Sequence, residues 1–396
     1  MAVERTAPAA SRPAAGAGAG AAWRFGTALR EATPALLTYA AVRAIGLVVM
    51  GVWMAAVDES PHRFLAERWD SRWYARIAEE GYGYSSYSSG RDHPDLAFFP
   101  LLPALERAVT AVLPISTNNA GLVVGWTAGL AAAWGMYAVA ALSHRRAVGV
   151  VLVALWAALP TAYVQSMAYT ETLFTALAAW TLHAVLTDRW RLVAVLAFAA
   201  GLTRPAGVAV VAAVWVGGAA VLLRRRGGGD APPRGRVWGA MALAPLGWLG
   251  YVAWVSVRRG SPTGYFDVQK EWGNGFDGGR AFVGFMADMV RVDPLHGLLL
   301  LTVAAALLVL LVACVRQRQP LPLLAYTAVI AVTALVSGGY FTSRPRLLMP
   351  AFPLLLPLAA LLTRLPRAAT AGLLTAAAVG SGAYGTWFVL GQMGPP

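Results

Sequence analysis

The chain has 396 residues, 58% of them hydrophobic and 13% charged, against roughly 25% charge in an ordinary soluble domain. Its formal charge of +13 is carried by short arginine clusters between apolar runs rather than by one stripe or patch, which argues against a nucleic-acid surface. The single cysteine, Cys314, excludes an intrachain disulfide and any multi-cysteine metal or iron–sulfur site.

Residues 1–22 are Ala, Gly and Pro with scattered Arg and have little to bury. They are expected to be disordered, within a basic cytoplasmic tail over 1–33. No apolar stretch in them suits a cleavable signal peptide. From residue 34 onward, apolar runs recur, and a run of about 18 residues can cross a bilayer as a helix with every backbone N–H bonded internally. Eleven spans are expected, near 34–57, 120–142, 147–165, 171–187, 191–203, 206–223, 237–257, 296–315, 320–337, 347–362 and 368–390. The predicted fold class is an all-α polytopic membrane protein, forming one transmembrane domain over 34–396. With the N-terminus inside, this count puts Arg145–Arg146, Arg189–Arg191, Arg224–Arg226, Arg316–Arg318 and Arg364–Arg367 all on the cytoplasmic side. Fifteen of the nineteen acidic residues then fall outside.

The first outer loop, 58–119, is too long for a connector. Ser71–Glu80 reads as a short helix with Asp70 as its N-cap and Gly81 as its stop. Trp69, Trp73 and Ile77 form a stripe suited to the membrane interface. Phe98–Leu113 contains Glu106, Arg107 and two prolines, and suits a second interfacial helix better than a span. Farther on, 192–223 is one apolar run with arginine on both flanks. A break is expected at Thr203-Arg204-Pro205, because proline disfavours a helical residue before it. Arg204 would then lie within membrane depth, facing a polar cavity or snorkelling to the headgroups. The second outer loop, 258–295, carries Tyr265, Gln269, Lys270, Glu271 and Trp272, then an amphipathic stripe of Phe282, Phe285, Met286 and Met289.

No Walker loop, HExxH, paired CxxC or GxSxG occurs, and His62, His93, His144, His183 and His296 lack metal-ligand spacing. The chemistry must rest on outward-facing charged groups: Asp70, Asp92, Asp95, Glu171, Arg204, Lys270, Arg344 and Arg346. These types fit transfer of a sugar from a lipid phosphate to an alcohol. A carboxylate takes the hydroxyl proton, cations hold the departing phosphate, and an already anionic leaving group needs no strong acid. Each residue also has a plainer reading. Asp70 can be a helix cap, Glu171 an acid at a helix N-terminus, and Arg344 and Arg346 headgroup contacts.

In order along the chain, WDSRWYARIAEEGY, LAFFPLLP, LPTAYVQSMAYTETLF and LTRPAG, followed by GSPTGYFDVQKEWG and RPRLLMPAFPLL, resemble the PIG-V-type mannosyltransferases of the GT-C glycosyltransferase superfamily. The resemblance covers most of 35–365 and is most specific over its first part. It implies inverting transfer of mannose from polyprenyl-phosphate-mannose on the non-cytoplasmic side, with Asp70 as the acidic catalytic residue. It also places Tyr169, Glu171 and Arg204 on family positions, and RDHPDL makes Asp92 or Asp95 an alternative second acid. Gln269 and Trp272 are carried as substrate-binding candidates, and Lys270, Arg344 and Arg346 as candidates for donor phosphate. The Arg- and Ala-rich composition points to a bacterial plasma membrane. The acceptor could then be a glycolipid, a glycan or a protein hydroxyl. No cofactor and no divalent metal are expected. The rival readings are another sugar, a transporter or flippase of lipid-linked sugars, and a non-catalytic scaffold.

Overall fold

Runs of Ala, Leu and Val keep their backbone bonded internally by coiling into helix. The computed structural model describes residues 17–88, 90–223, 232–336, 338 and 343–391. Among the described residues it is mostly helical, with one short hairpin. The chain opens with α1 (Ala17–Ala56), α2 (Pro61–Glu67) and α3 (Asp70–Glu80). The antiparallel strands β1 (Ser85–Ser88) and β2 (Arg91–Pro94) follow, then a 3-10 turn at Asp95–Ala97 and α4 (Leu101–Thr110). The central bundle contains α5 (Thr117–Ala141), α6 (Arg146–Ala157), α7 (Glu171–Leu186), α8 (Trp190–Gly201) and α9 (Gly207–Leu223). Next come α10 (Arg234–Leu243), α11 (Leu246–Arg258), α12 (Gly264–Glu271), α13 (Arg280–Val292) and α14 (Pro294–Arg316). The chain closes with α15 (Leu321–Val336), α16 (Arg344–Leu348), α17 (Leu356–Leu362) and α18 (Arg367–Leu390).

Among the described residues, five helices are long and apolar enough to cross a membrane: Gly26–Ala56, Thr117–Ala141, Arg234–Arg258, Pro294–Arg316 and Arg367–Leu390. Six shorter apolar helices accompany them. Each of these helices falls on one of the expected spans. The break at Thr203-Arg204-Pro205 is present, separating α8 from α9.

Small residues let the central helices approach closely. A Cβ on Gly135 of α5 would lie 2.9 Å from Ala179 of α7, and one on Gly125 would lie 2.9 Å from the Met167 carbonyl. The first and last long helices meet in the same way, Gly382 resting on the Gly46 backbone. Arg146 at the start of α6 pairs with Glu31 of α1 at 2.6 Å, so these two lie at one end of the bundle.

Two expectations for the N-terminal region are corrected. Helix α1 begins at Ala17, so 17–33 is helical rather than an unstructured tail, and Pro34 sits inside the helix. Alanine is the best helix former, and no proline interrupts 17–33. The disorder expected for 1–16 lies outside the described residues. The stripe on α3 packs on protein: Trp73 stacks on Phe98 at 5.4 Å and meets Trp272 edge-on at 5.1 Å, while Trp69 meets Phe64 at 5.3 Å. The helix expected within Phe98–Leu113 is present as α4. Its ten residues, about 15 Å long, turn Glu106 fully inward against Gly121.

Candidate functional site

The α2–α3 junction is bent by Trp69, whose φ of 50° is unusual for a bulky residue. That bend places Asp70 as the first residue of α3, with no side-chain cap bond at this terminus. The expected capping role is therefore corrected: the carboxylate turns away from its own helix and meets Arg346 of α16, Nη1 to Oδ2, at 2.7 Å. Gly81 does end the helix, at φ 81°, donating its N–H to Ile77.

Glu171 is the first residue of α7, where the helix dipole favours an acid. Its Oε1 lies 2.9 Å from Arg204 Nη1 and 3.4 Å from Arg346 Nε. Both contacts are close ion pairs whose angles fall short of hydrogen bonds. Arg204 comes from the proline-induced break between α8 and α9. Of the two readings open for it, the snorkelling one is not realised, since its guanidinium turns inward to Glu171. Asp70, Arg346, Glu171 and Arg204 thus form a continuous chain of alternating charge. Two carboxylates offset two guanidiniums, which is how charges persist in a low-dielectric interior.

Aromatic residues frame this quartet. The Tyr169 hydroxyl accepts from the Asp70 backbone N–H at 3.2 Å, and the Arg346 guanidinium lies 5.2 Å from the Tyr169 ring centre. Tyr74, one turn beyond Asp70 on the same helix, lies 3.4 Å from Thr170 Oγ1. Exposure separates the two acids. The Asp70 side chain is 22% exposed and that of Glu171 only 2%. Only Asp70 can meet a molecule arriving from outside without the bundle opening. Glu171 can do little but hold its two arginines. A cleft of about 50 Å³ lined by Met54, Arg63, Phe64, Arg68 and Val389 opens nearby in the chain but does not include Asp70.

Five of the expected site residues, Asp70, Tyr169, Glu171, Arg204 and Arg346, therefore converge from across the chain. The others have different partners. Asp95 is buried, its Oδ2 accepting from the N–H groups of Gly83 and Tyr84 at 2.8 and 2.9 Å, so it clamps the loop before the hairpin. Asp92 is exposed on β2. Lys270 is exposed and pairs with Asp267 at 3.4 Å. Gln269 bonds Tyr265 and Asn274. Trp272 donates to the Pro94 carbonyl at 2.9 Å and packs on His93, tying the segment 258–295 to the segment 58–119. Arg344 donates to the Leu335 carbonyl at 2.9 Å, at the end of α15.

Arg43, inside the first long apolar helix, was not anticipated. It is buried and donates to the Ala157 carbonyl at 3.1 Å and to Ser166 Oγ at 2.7 Å. It fixes the irregular segment leading into Tyr169 and Glu171. A charge within an apolar run was the available signal. Glu106 is the second omission. It is 0% exposed, neither oxygen has a hydrogen-bond partner among the described residues, and burial followed by the Glu79 charge pushes its carboxyl up to about 9. Among the described residues no three His, Cys, Asp or Glu side chains gather as a metal-ligand group. Compared with known proteins, the sequence matches no family model and no curated protein.

Proposed function

We propose that the chain is a membrane glycosyltransferase that moves mannose from polyprenyl-phosphate-mannose to an acceptor hydroxyl, with inversion, on the non-cytoplasmic face. The observation that carries this reading is the pairing of Asp70, the one partly exposed acid of the quartet, with Arg346 at 2.7 Å. The reaction needs a carboxylate base beside a phosphate-binding cation at one place. The order of motifs resembling PIG-V-type mannosyltransferases supports the same choice, as does the distribution of arginine clusters for sidedness.

In this proposal the donor phosphodiester competes with Asp70 for Arg346, since guanidinium binds both oxyanions well. Its arrival loosens the ion pair and frees the Asp70 carboxylate. The acceptor O–H gives its proton to Asp70 while its oxygen attacks the anomeric carbon from the face opposite the phosphate. The bond from that carbon to the phosphate oxygen breaks, and its electron pair leaves with the polyprenyl phosphate. Arg346 then faces the extra negative charge, with Arg204 behind it. Glu171 holds the two cations close together against their mutual repulsion. The acceptor is a glycolipid, glycan or protein hydroxyl.

The test is transfer by the purified protein in liposomes, with polyprenyl-phosphate-mannose labelled in the sugar and each acceptor class offered in turn. Labelled product is expected with one of them. No product with any, beside an active control transferase, overturns the reading. Label crossing the bilayer still attached to its lipid would favour a flippase instead.

A further inference from the structure

A second charged feature lies at the opposite, arginine-rich end of the bundle and has no part in the chemistry above. Between the α7–α8 turn and the start of α10 is an open cleft of about 570 Å³, lined by Arg189, Trp190, Arg191, Leu192, Pro233 and Arg236. That volume is within the roughly 300–1,000 Å³ of small-molecule sites. Arg189, Arg191 and Arg236 are all exposed, and among the described residues none has a side-chain hydrogen bond or ion pair. Asp188 also lines the cleft, but its Oδ1 accepts from Trp190 Nε1 at 3.2 Å, leaving the three guanidiniums in excess. Arg236 lies in the first turn of α10, where the helix dipole adds to the positive field.

Apolar surface continues from the cleft along the helices. On α8, Leu192, Val195 and Phe198 follow one another at three-residue intervals and are all exposed; on α10, so are Trp238 and Leu243. The far end of α8 is closed by backbone contact. A Cβ on Gly201 would lie 2.6 Å from the Trp248 nitrogen of α11, and one on Gly247 would run into the Phe198 carbonyl. The α8–α11 contact is thus anchored at one end, with the basic cleft at the other.

We propose that this cleft binds the phosphate of an anionic phospholipid, its acyl chains lying along the exposed faces of α8 and α10. Unpaired arginines between helix ends at a membrane boundary are suited to such headgroups. The exposed Leu192 at the cleft and the apolar stripe that continues from it favour a lipid over free phosphate. The site is independent of the quartet at Asp70.

The experiment is native mass spectrometry of the full chain in neutral detergent, titrated with phosphatidylglycerol, phosphatidylcholine or inorganic phosphate. Phosphatidylglycerol should be retained and phosphatidylcholine should not. The triple variant Arg189→Gln, Arg191→Gln, Arg236→Gln should bind phosphatidylglycerol at least about tenfold more weakly. A variant losing the same charge elsewhere on the arginine clusters, Arg145→Gln, Arg316→Gln, Arg364→Gln, should stay close to wild type. If the triple variant fails to fold, Arg236→Gln alone, weaker by about threefold, serves in its place. Equal losses in both triple variants would overturn the proposal. So would equal retention of phosphatidylcholine, or inorganic phosphate binding as tightly as the lipid.

Discussion

Glu171 and Glu106 are both sealed inside the bundle, yet they sit in opposite electrostatic surroundings. Glu171 lies between two guanidiniums at 2.9 and 3.4 Å. Glu106 lies against Gly121 with no partner for either oxygen among the described residues. Burial is shared, so it cannot decide the charge state; the presence or absence of a cation does. The region around α7 is therefore a charged network tolerated because it is balanced. The α4–α5 contact is a place where a carboxyl is kept neutral by holding its proton.

The largest effect should come from unbalancing the first region. Glu171→Ala leaves Arg204 and Arg346 with a single carboxylate, Asp70, between them. Breaking a buried pair on one side costs about 3–5 kcal/mol, so the variant should melt far earlier in detergent. Removing both members, in Glu171→Leu with Arg204→Leu, should recover part of that loss, because the uncompensated cation goes too. A single variant as stable as wild type would show that the quartet is not a coupled unit.

The second region yields a pH effect. The Glu106 carboxyl is raised in the folded chain from its ordinary 4.5 to about 9. Between those values the unfolded chain has released a proton that the folded chain still holds. Stability is therefore highest below the lower value and falls as pH rises, by about 1.4 kcal/mol per unit. Glu106→Gln removes the titrating group. The variant should match wild type near the lower value and melt later than wild type as pH rises toward the upper one. Parallel melting curves across the range would contradict the neutral assignment. The smallest effect is expected at Lys270, whose pair with Asp267 is exposed. Lys270→Ala should leave the melting temperature unchanged and transfer within about twofold of wild type, as exposed ion pairs contribute little.

The contrast also shows what can be read from a sequence. Apolar run lengths located the helices, because a helix buries its own backbone wherever it lies, and Pro205 announced the break beside Arg204. Asp70, Glu171, Arg204 and Arg346 were each visible as charges at odds with their setting. Their mutual pairing was not, since Asp70 and Arg346 are 276 positions apart and only the packing of α3 against the rest brings them together. Helix patterning misjudged Asp70, because its pairing with an arginine from the far end of the chain prevailed over a local cap. The setting of Glu106 was not legible either: an acid on an amphipathic helix is ordinarily on the wet face, and it is the missing side chain of Gly121, on another helix, that makes room for it on the dry one. Arg43 went unnoticed within an otherwise apolar helix, although a lone charge there is the signal to look for.

The most direct test concerns Asp70 itself. Asparagine keeps the shape and can still accept from Arg346, but it cannot take a proton from an acceptor hydroxyl. Asp70→Asn should therefore lower kcat for mannosyl transfer by about 10²–10⁴ while the purified protein binds polyprenyl-phosphate-mannose at least as tightly as wild type, because a neutral side chain competes less for Arg346. Turnover close to that of wild type would contradict the assignment of this carboxylate as the base.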